Sequence, residues 1–225
     1  MTSPQAPHGP GEDRPRVRDM PAPRETKGVA GPAMRFIFTW PYRVALAGLY
    51  RAGVRPWQLT LGSLVTNTVI GWLLLTGRRF LPGALLIPAG MFDIFDGSIA
   101  RLRGEESRSG AFLDSFLDRV SDAILFACLF WSEAVQGHRL SAGLALATLA
   151  IALSVSHIRA EAEAAGVTLS EGFFQRLERY VAMVIGLMIP GALQPMLALL
   201  VVLGGVTVVQ RGWSAIHRVR LVRGG

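Results

Sequence analysis

Apolar residues in this chain come in long runs instead of the narrow stripe of a half-buried surface helix. Six runs, roughly 57–77, 80–102, 111–136, 140–164, 177–193 and 195–216, each come near the length of about 20 residues that a helix needs to cross a bilayer. The loops between them are short, which predicts antiparallel neighbours in a compact bundle. Ahead of them, MRFIFTWPYRVALAGLYRAG (34–53) mixes aromatic and aliphatic residues with Arg35, Arg43 and Arg51. Those charges interrupt it too often for a span and predict an amphipathic helix lying in the interface.

Residues 1–33 are rich in Pro, Gly and charge. They hold too little apolar surface to offset the entropy of ordering and predict a disordered tail. No apolar stretch follows their charges as a signal peptide requires. The expected organisation is all-α and polytopic: a disordered basic tail at 1–33, an interfacial helix at 34–55, six transmembrane helices at 56–217 and a basic tail at 218–225.

Composition agrees. Hydrophobic residues make up 51% of the chain and charged residues 17%, against about a quarter charged in soluble domains. The net charge of +7 raises the question of nucleic acid, but the placement of the bases answers it. Nine of the 23 Lys and Arg precede Pro56, and the rest cluster between alternate spans, as at Arg101, Arg103 and Arg108. The intervening loops hold only Arg78 and Arg79, then Arg139, then nothing in PGALQP. This is the positive-inside pattern. It places both termini in the cytoplasm, makes a plasma (cell inner) membrane protein, and needs no nucleic-acid partner. The single cysteine, Cys128, lies in ILFACLFW, where a small packing residue is the simplest role.

One stretch resists this picture. MFDIFDGSIARLRGEESRSGAFLDSFLDRVSD (91–122) carries aspartates into the second and third spans. An Asp at a bilayer centre costs about 2.5–3.5 kcal/mol, so four cost on the order of 10 kcal/mol unless hydrated or bound to cations. Asp93 and Asp96 are three apart and share a face; Asp114 and Asp118 are four apart and share another. The loop LRGEESRSG is short enough to set the two pairs against each other at the cytoplasmic side. Oxygen ligands of this kind suit Mg²⁺, Mn²⁺ or Ca²⁺. Asp122 lies one turn deeper, as a support to the site or the partner of an arginine, while Glu105 and Glu106 are solvated loop residues. Gly97 permits close approach of a ligand or helix. Gly110 is either a turn residue or part of the same cradle, and Arg101 either a phosphate clamp or a membrane anchor.

Asp93-x2-Asp96-Gly97-x2-Ala100-Arg101-x8-Gly110-x3-Asp114-x3-Asp118 resembles the signature of the CDP-alcohol phosphotransferase family at every fixed position. The resemblance extends to the interfacial helix and six spans and covers residues 34–217. It implies transfer of a phosphatidyl-type group from a CDP-linked lipid, diacyl or ether, to an alcohol with release of CMP. It further implies that Asp93, Asp96, Asp114 and Asp118 hold two divalent cations, Mg²⁺ or Mn²⁺, and that Asp118 is the base. Gly97, Ala100, Arg101 and Gly110 would cradle the cytidine diphosphate, with Pro56 and Thr60 near it. Trp57 stands where many members have Asn, which puts any nucleotide contact from that side in question. Members are commonly homodimers, and VVLGGVTVV offers a close-packing face.

The acceptor is read from finer detail. DSFLDR, VSHIRAEAEAAG and FFQRLERY resemble the phosphatidylinositol phosphate synthase branch more than the glycerol phosphate-using one. Together with Val209-Gln210-Arg211, which resembles a basic position in the last span of that branch, they imply an acceptor phosphate pocket from Arg159, Arg176 or Arg179, and Arg211, although Glu161 departs from the basic residue expected there. Inositol phosphate is therefore the expected acceptor, with glycerol 3-phosphate or another alcohol as the alternative. An ion or proton transporter fits less well: the acids cluster on one side, with no internal repeat.

Overall fold

The computed structural model describes residues 31–167 and 176–223, together with Val17, Met20 and Pro21, and the side chains of 39–167 and 176–219 within them. The disordered tail expected at 1–33 therefore lies largely outside the described residues, as does the side chain of Arg35, whereas residues 218–223 of the expected basic tail continue the last helix. Among the described residues the chain is all-helical: α1 (Gly31–Arg51), α2 (Pro56–Leu75), α3 (Phe80–Arg103), α4 (Arg108–Val135), α5 (Arg139–Ala164), α6 (Arg176–Met188) and α7 (Leu193–Arg223). Each expected apolar run appears as one helix; the first four lie within three residues of their expected ends, whereas α6 stops at Met188 instead of 193 and α7 runs on to Arg223 instead of 216.

Four of the helices, α2, α3, α5 and α7, are long and apolar enough to cross a membrane. The helix α4 carries the aspartates, and α6 spans 13 residues among those described, so length and composition alone support four of the six crossings expected from sequence. The outer surface is what lipid requires. All five tryptophans, Trp40, Trp57, Trp72, Trp131 and Trp213, are exposed. Trp72 and Trp131 stand at the ends of α2 and α4 remote from the aspartates, and Trp40, Trp57 and Trp213 toward the opposite ends, like the two aromatic belts of a membrane protein.

Short turns return each helix against the one before. A glycine of positive φ follows each of α1 to α6; Gly104, at φ 64°, caps α3 just before the site loop, where a Cβ would crowd the backbone. The central core joins Ile70 and Leu74 of α2, Leu86 of α3, Leu125, Phe126 and Leu129 of α4, Met183 and Leu187 of α6 and Leu197 of α7. Close approach sets the helix pairing. A Cβ on Gly71 would stand 2.7 Å from Ile124 Cγ2, and one on Gly83 would stand 2.7 Å from Met188 Cγ, so α2 meets α4 and α3 meets α6 nearly backbone to side chain.

A second cluster ties α1 to α3: Tyr42, Leu46 and Ala47 pack on Phe95 and Ile99, with Leu59 and Met20. At the far end of the bundle, the buried Glu133 takes hydrogen bonds from Arg79 at 2.6 Å and shares one with His138 at 3.1 Å. This clips the α2–α3 and α4–α5 turns together.

Candidate active site

The sequence starts α4 with a cap. Ser107 Oγ accepts a bond from Gly110 N at 3.0 Å, and a Cβ on Gly110 would lie 2.9 Å from that hydroxyl. Gly110 therefore serves the cap, and the short loop returns α4 beside α3. Asp114 then lies close enough to Asp93 and Asp96 for their charges to act on one another. The facing pairs expected from helical spacing are brought together.

Asp96 is held most firmly. It is buried, its Oδ2 accepts from Thr60 Oγ1 at 2.9 Å, and its Oδ1 accepts from the Gly97 amide at 2.5 Å. Thr60, expected near the nucleotide, thus touches an aspartate directly, and Pro56 is the first residue of α2, where a missing N–H costs nothing. Arg101 folds back along α3 to donate to Ser98 Oγ at 2.9 Å, and Tyr42 of α1 donates to the same oxygen at 2.6 Å. Its guanidinium is then the nearest group to Gly97: a Cβ there would meet only Arg101 Nη1, at 3.6 Å. Among the described residues nothing demands a glycine at 97, and the face beside it is open to a ligand. Gly97→Ala is expected to leave thermal stability within about 0.5 kcal/mol or raise it slightly, as the better helix former. The same change should weaken binding of a CDP-linked lipid; a native KM for that donor would dismiss Gly97 as part of the cradle.

The arginines expected around an acceptor phosphate separate into different settings. Arg176 reaches from α6 into the aspartates: its Nη1 lies 2.8 Å from Asp93 Oδ2 and also donates to Asp118 Oδ1. Arg179, one turn on, is buried against Asp122 with Nη2 2.5 Å from Oδ2, so Asp122 has the arginine partner that was one of its two expected roles. Arg159 is exposed on α5 and pairs with Glu163 at 2.8 Å. Arg211 is buried on α7, which packs against α5.

Among the described residues no three carboxylate, histidine or cysteine side chains yet converge as a metal cage. The guanidinium of Arg176 lies between Asp93 and Asp118 instead. The donor set nonetheless fits hard cations: it is all oxygen, drawn from two facing helices, and it has already drawn in a cation from a third. Sequence reasoning missed Ser63, Asn67, Ser98, Tyr42 and Tyr180. For α2 a signal existed: Thr60, Ser63 and Asn67 form one polar stripe, at intervals of three and four, along an otherwise apolar span.

The chain is similar to known proteins in sequence and in fold. The family described as CDP-alcohol phosphatidyltransferase matches residues 54–210. A phosphatidylinositol phosphate synthase of Mycobacteroides abscessus is 34% identical over 184 residues, which cover 77% of this chain and 81% of that one. A crystal structure of Mycobacterium tuberculosis phosphatidylinositol phosphate synthase with CDP-DAG bound superposes with a TM-score of 0.69 at 31% identity, covering 76% of this chain and 91% of that one. Another, in complex with manganese and citrate, gives the same score and identity over 87% of its length.

Proposed function

This chain belongs to the CDP-alcohol phosphatidyltransferase family, and from that premise we propose that its acceptor alcohol is inositol phosphate. It is a transferase of phospholipid biosynthesis that moves a phosphatidyl-type group from a CDP-linked lipid to an alcohol and releases CMP. The naming of the relatives supports the acceptor, and so does the concentration of arginine on the aspartate side. The observation that carries the site assignment is that Asp93 of α3 and Asp118 of α4 share the Arg176 guanidinium, with Asp96 and Asp114 near enough to act on one another, beside the Gly97–Arg101 face.

Asp93, Asp96, Asp114 and Asp118 would hold two divalent cations, Mg²⁺ or Mn²⁺, which supply charge neutralisation of the diphosphate and stabilisation of an in-line displacement. Thr60 and the Gly97 amide fix the orientation of Asp96. The bare Gly97 face and Arg101 receive the diphosphate, with Ala100 and Gly110 in the same cradle. The acceptor hydroxyl forms the new bond to the phosphorus that carries the lipid, the bond to the CMP oxygen breaks, and Asp118 takes the hydroxyl proton. Arg176, at the aspartates, is the first candidate for the acceptor's phosphate, with Arg159 and Arg211 adding positive charge and Arg179 anchoring α6. Arginine suits a phosphate because its planar fork makes two parallel bonds.

In this arrangement α4 and α6 cross with the other four helices, the aspartates face the cytoplasm, and α1 lies along the inner surface of the plasma membrane. The chain works as a homodimer. Positive charge near the aspartate ends of the helices supports the orientation.

CMP release by the detergent-purified protein, given CDP-diacylglycerol, Mn²⁺ and separate alcohols, tests the proposal. Inositol phosphate is expected to support release, and EDTA to reduce it to background. Release with glycerol 3-phosphate alone would keep the reaction and discard the acceptor. Full activity in EDTA would discard the metal role.

A further inference from the structure

The guanidinium of Arg176 is held by more than its two aspartates. Its Nη2 donates to the Tyr180 hydroxyl at 3.2 Å, and its Cζ stands 5.2 Å from the centre of the same ring. Tyr180 in turn donates to Asn67 Oδ1 at 3.2 Å, and Asn67 Nδ2 donates to the Ser63 carbonyl at 2.9 Å. Tyr180 and Asn67 are both buried. Gly90 of α3 leaves room for the tyrosine ring, since a Cβ there would lie 3.2 Å from Cδ1. A polar chain therefore runs from α2 through α6 to carboxylates on α3 and α4. The fit is incomplete: Arg176 Nε is buried with no hydrogen-bond partner.

We propose that Tyr180, itself fixed by Asn67, is a positioning residue that parks Arg176 on Asp93 and Asp118, and that this parked guanidinium competes with the divalent cation for those carboxylates. The inference rests on the metal role proposed above. Facing carboxylates in an apolar bundle repel one another, and Arg176 relieves this when no metal does. The parked guanidinium and a metal require the same side chains, so the affinity observed for metal is the intrinsic one multiplied by the fraction of molecules in which Arg176 has left. Arg176 also contacts the carboxylate that must accept the acceptor's proton, so its departure precedes chemistry. Once displaced, it has a positive charge to offer an incoming phosphate, and metal and anionic acceptor then favour each other by linkage.

A positive charge near a cation site weakens binding wherever it sits, so removing Arg176 alone would not isolate the parked position. Tyr180→Phe does, because it keeps every charge and the ring and removes only the hydroxyl that holds Nη2. Titration of the full-length protein in detergent with Mn²⁺, followed by electron paramagnetic resonance without donor or acceptor, provides a readout independent of turnover. Tyr180→Phe is expected to bind Mn²⁺ roughly 3- to 10-fold more tightly than the native protein, the scale of one ordinary net hydrogen bond. Arg176→Gln should bind more tightly still. Native or weaker Mn²⁺ affinity in Tyr180→Phe overturns the parking role while leaving the metal site intact. Should the native protein bind no Mn²⁺, or Asp93→Asn leave its binding unchanged, the metal assignment falls and the competition with it.

Discussion

Asp118→Asn is expected to reduce CMP release by at least about 10²–10⁴-fold, the usual worth of a positioned general base, while the bundle stays folded. The substitution is nearly isosteric, and Asp118 keeps a third of its side chain exposed. Its contact is with Arg176, which keeps Asp93 as a partner at 2.8 Å. Stability therefore has little to lose at this position, whereas the acceptor proton loses its destination. Turnover at saturating Mn²⁺, set beside the thermal unfolding midpoint of the same preparation, separates the two effects. Near-native turnover would remove Asp118 from the chemistry, and a collapsed midpoint would make its role one of folding.

Breaking the neighbouring ion pair should have the opposite signature. Asp122 of α4 and Arg179 of α6 are 3% and 6% exposed, and truncating one partner leaves the other charge buried without its ion pair. Such a loss costs about 3–5 kcal/mol, so Arg179→Met is expected to lower the unfolding midpoint sharply. Asp122→Asn should do the same, leaving a buried guanidinium opposite an amide. The double variant should recover much of the loss, because neither charge then remains. Thermal unfolding of the four proteins in detergent measures this coupling directly. If Arg179→Met instead keeps the native midpoint and raises KM for inositol phosphate, Arg179 belongs to the acceptor pocket and not to the α4–α6 join.

These two aspartates look alike in the sequence. Both lie on one face of the third apolar run, four residues apart, and helical periodicity gives no reason to treat them differently. Their neighbours differ. Asp118 meets Arg176 of α6, which also pairs with Asp93 of α3, whereas Asp122 meets the buried Arg179, 57 residues away in the chain.

The sequence alone determined the helical character, the approximate helix ends and the facing of Asp93 and Asp96 toward Asp114 and Asp118. Apolar run length, loop length and the i, i+3, i+4 geometry of a helix are local quantities, and a nine-residue loop leaves little choice of partner. The tertiary structure decided which arginine meets which acid. The four arginines that resemble one acceptor pocket in the sequence are divided among Asp93 and Asp118, Asp122, Glu163 and the buried face of α7. That division follows from how α6 rotates and sits against α3 and α4, which depends on close contacts such as Gly83 against Met188 and Gly90 against Tyr180. It also made visible the Asn67–Tyr180–Arg176 chain, whose members lie on two helices 113 residues apart. A helix's own periodicity says which of its residues share a face, but only packing against the rest of the bundle says what that face meets.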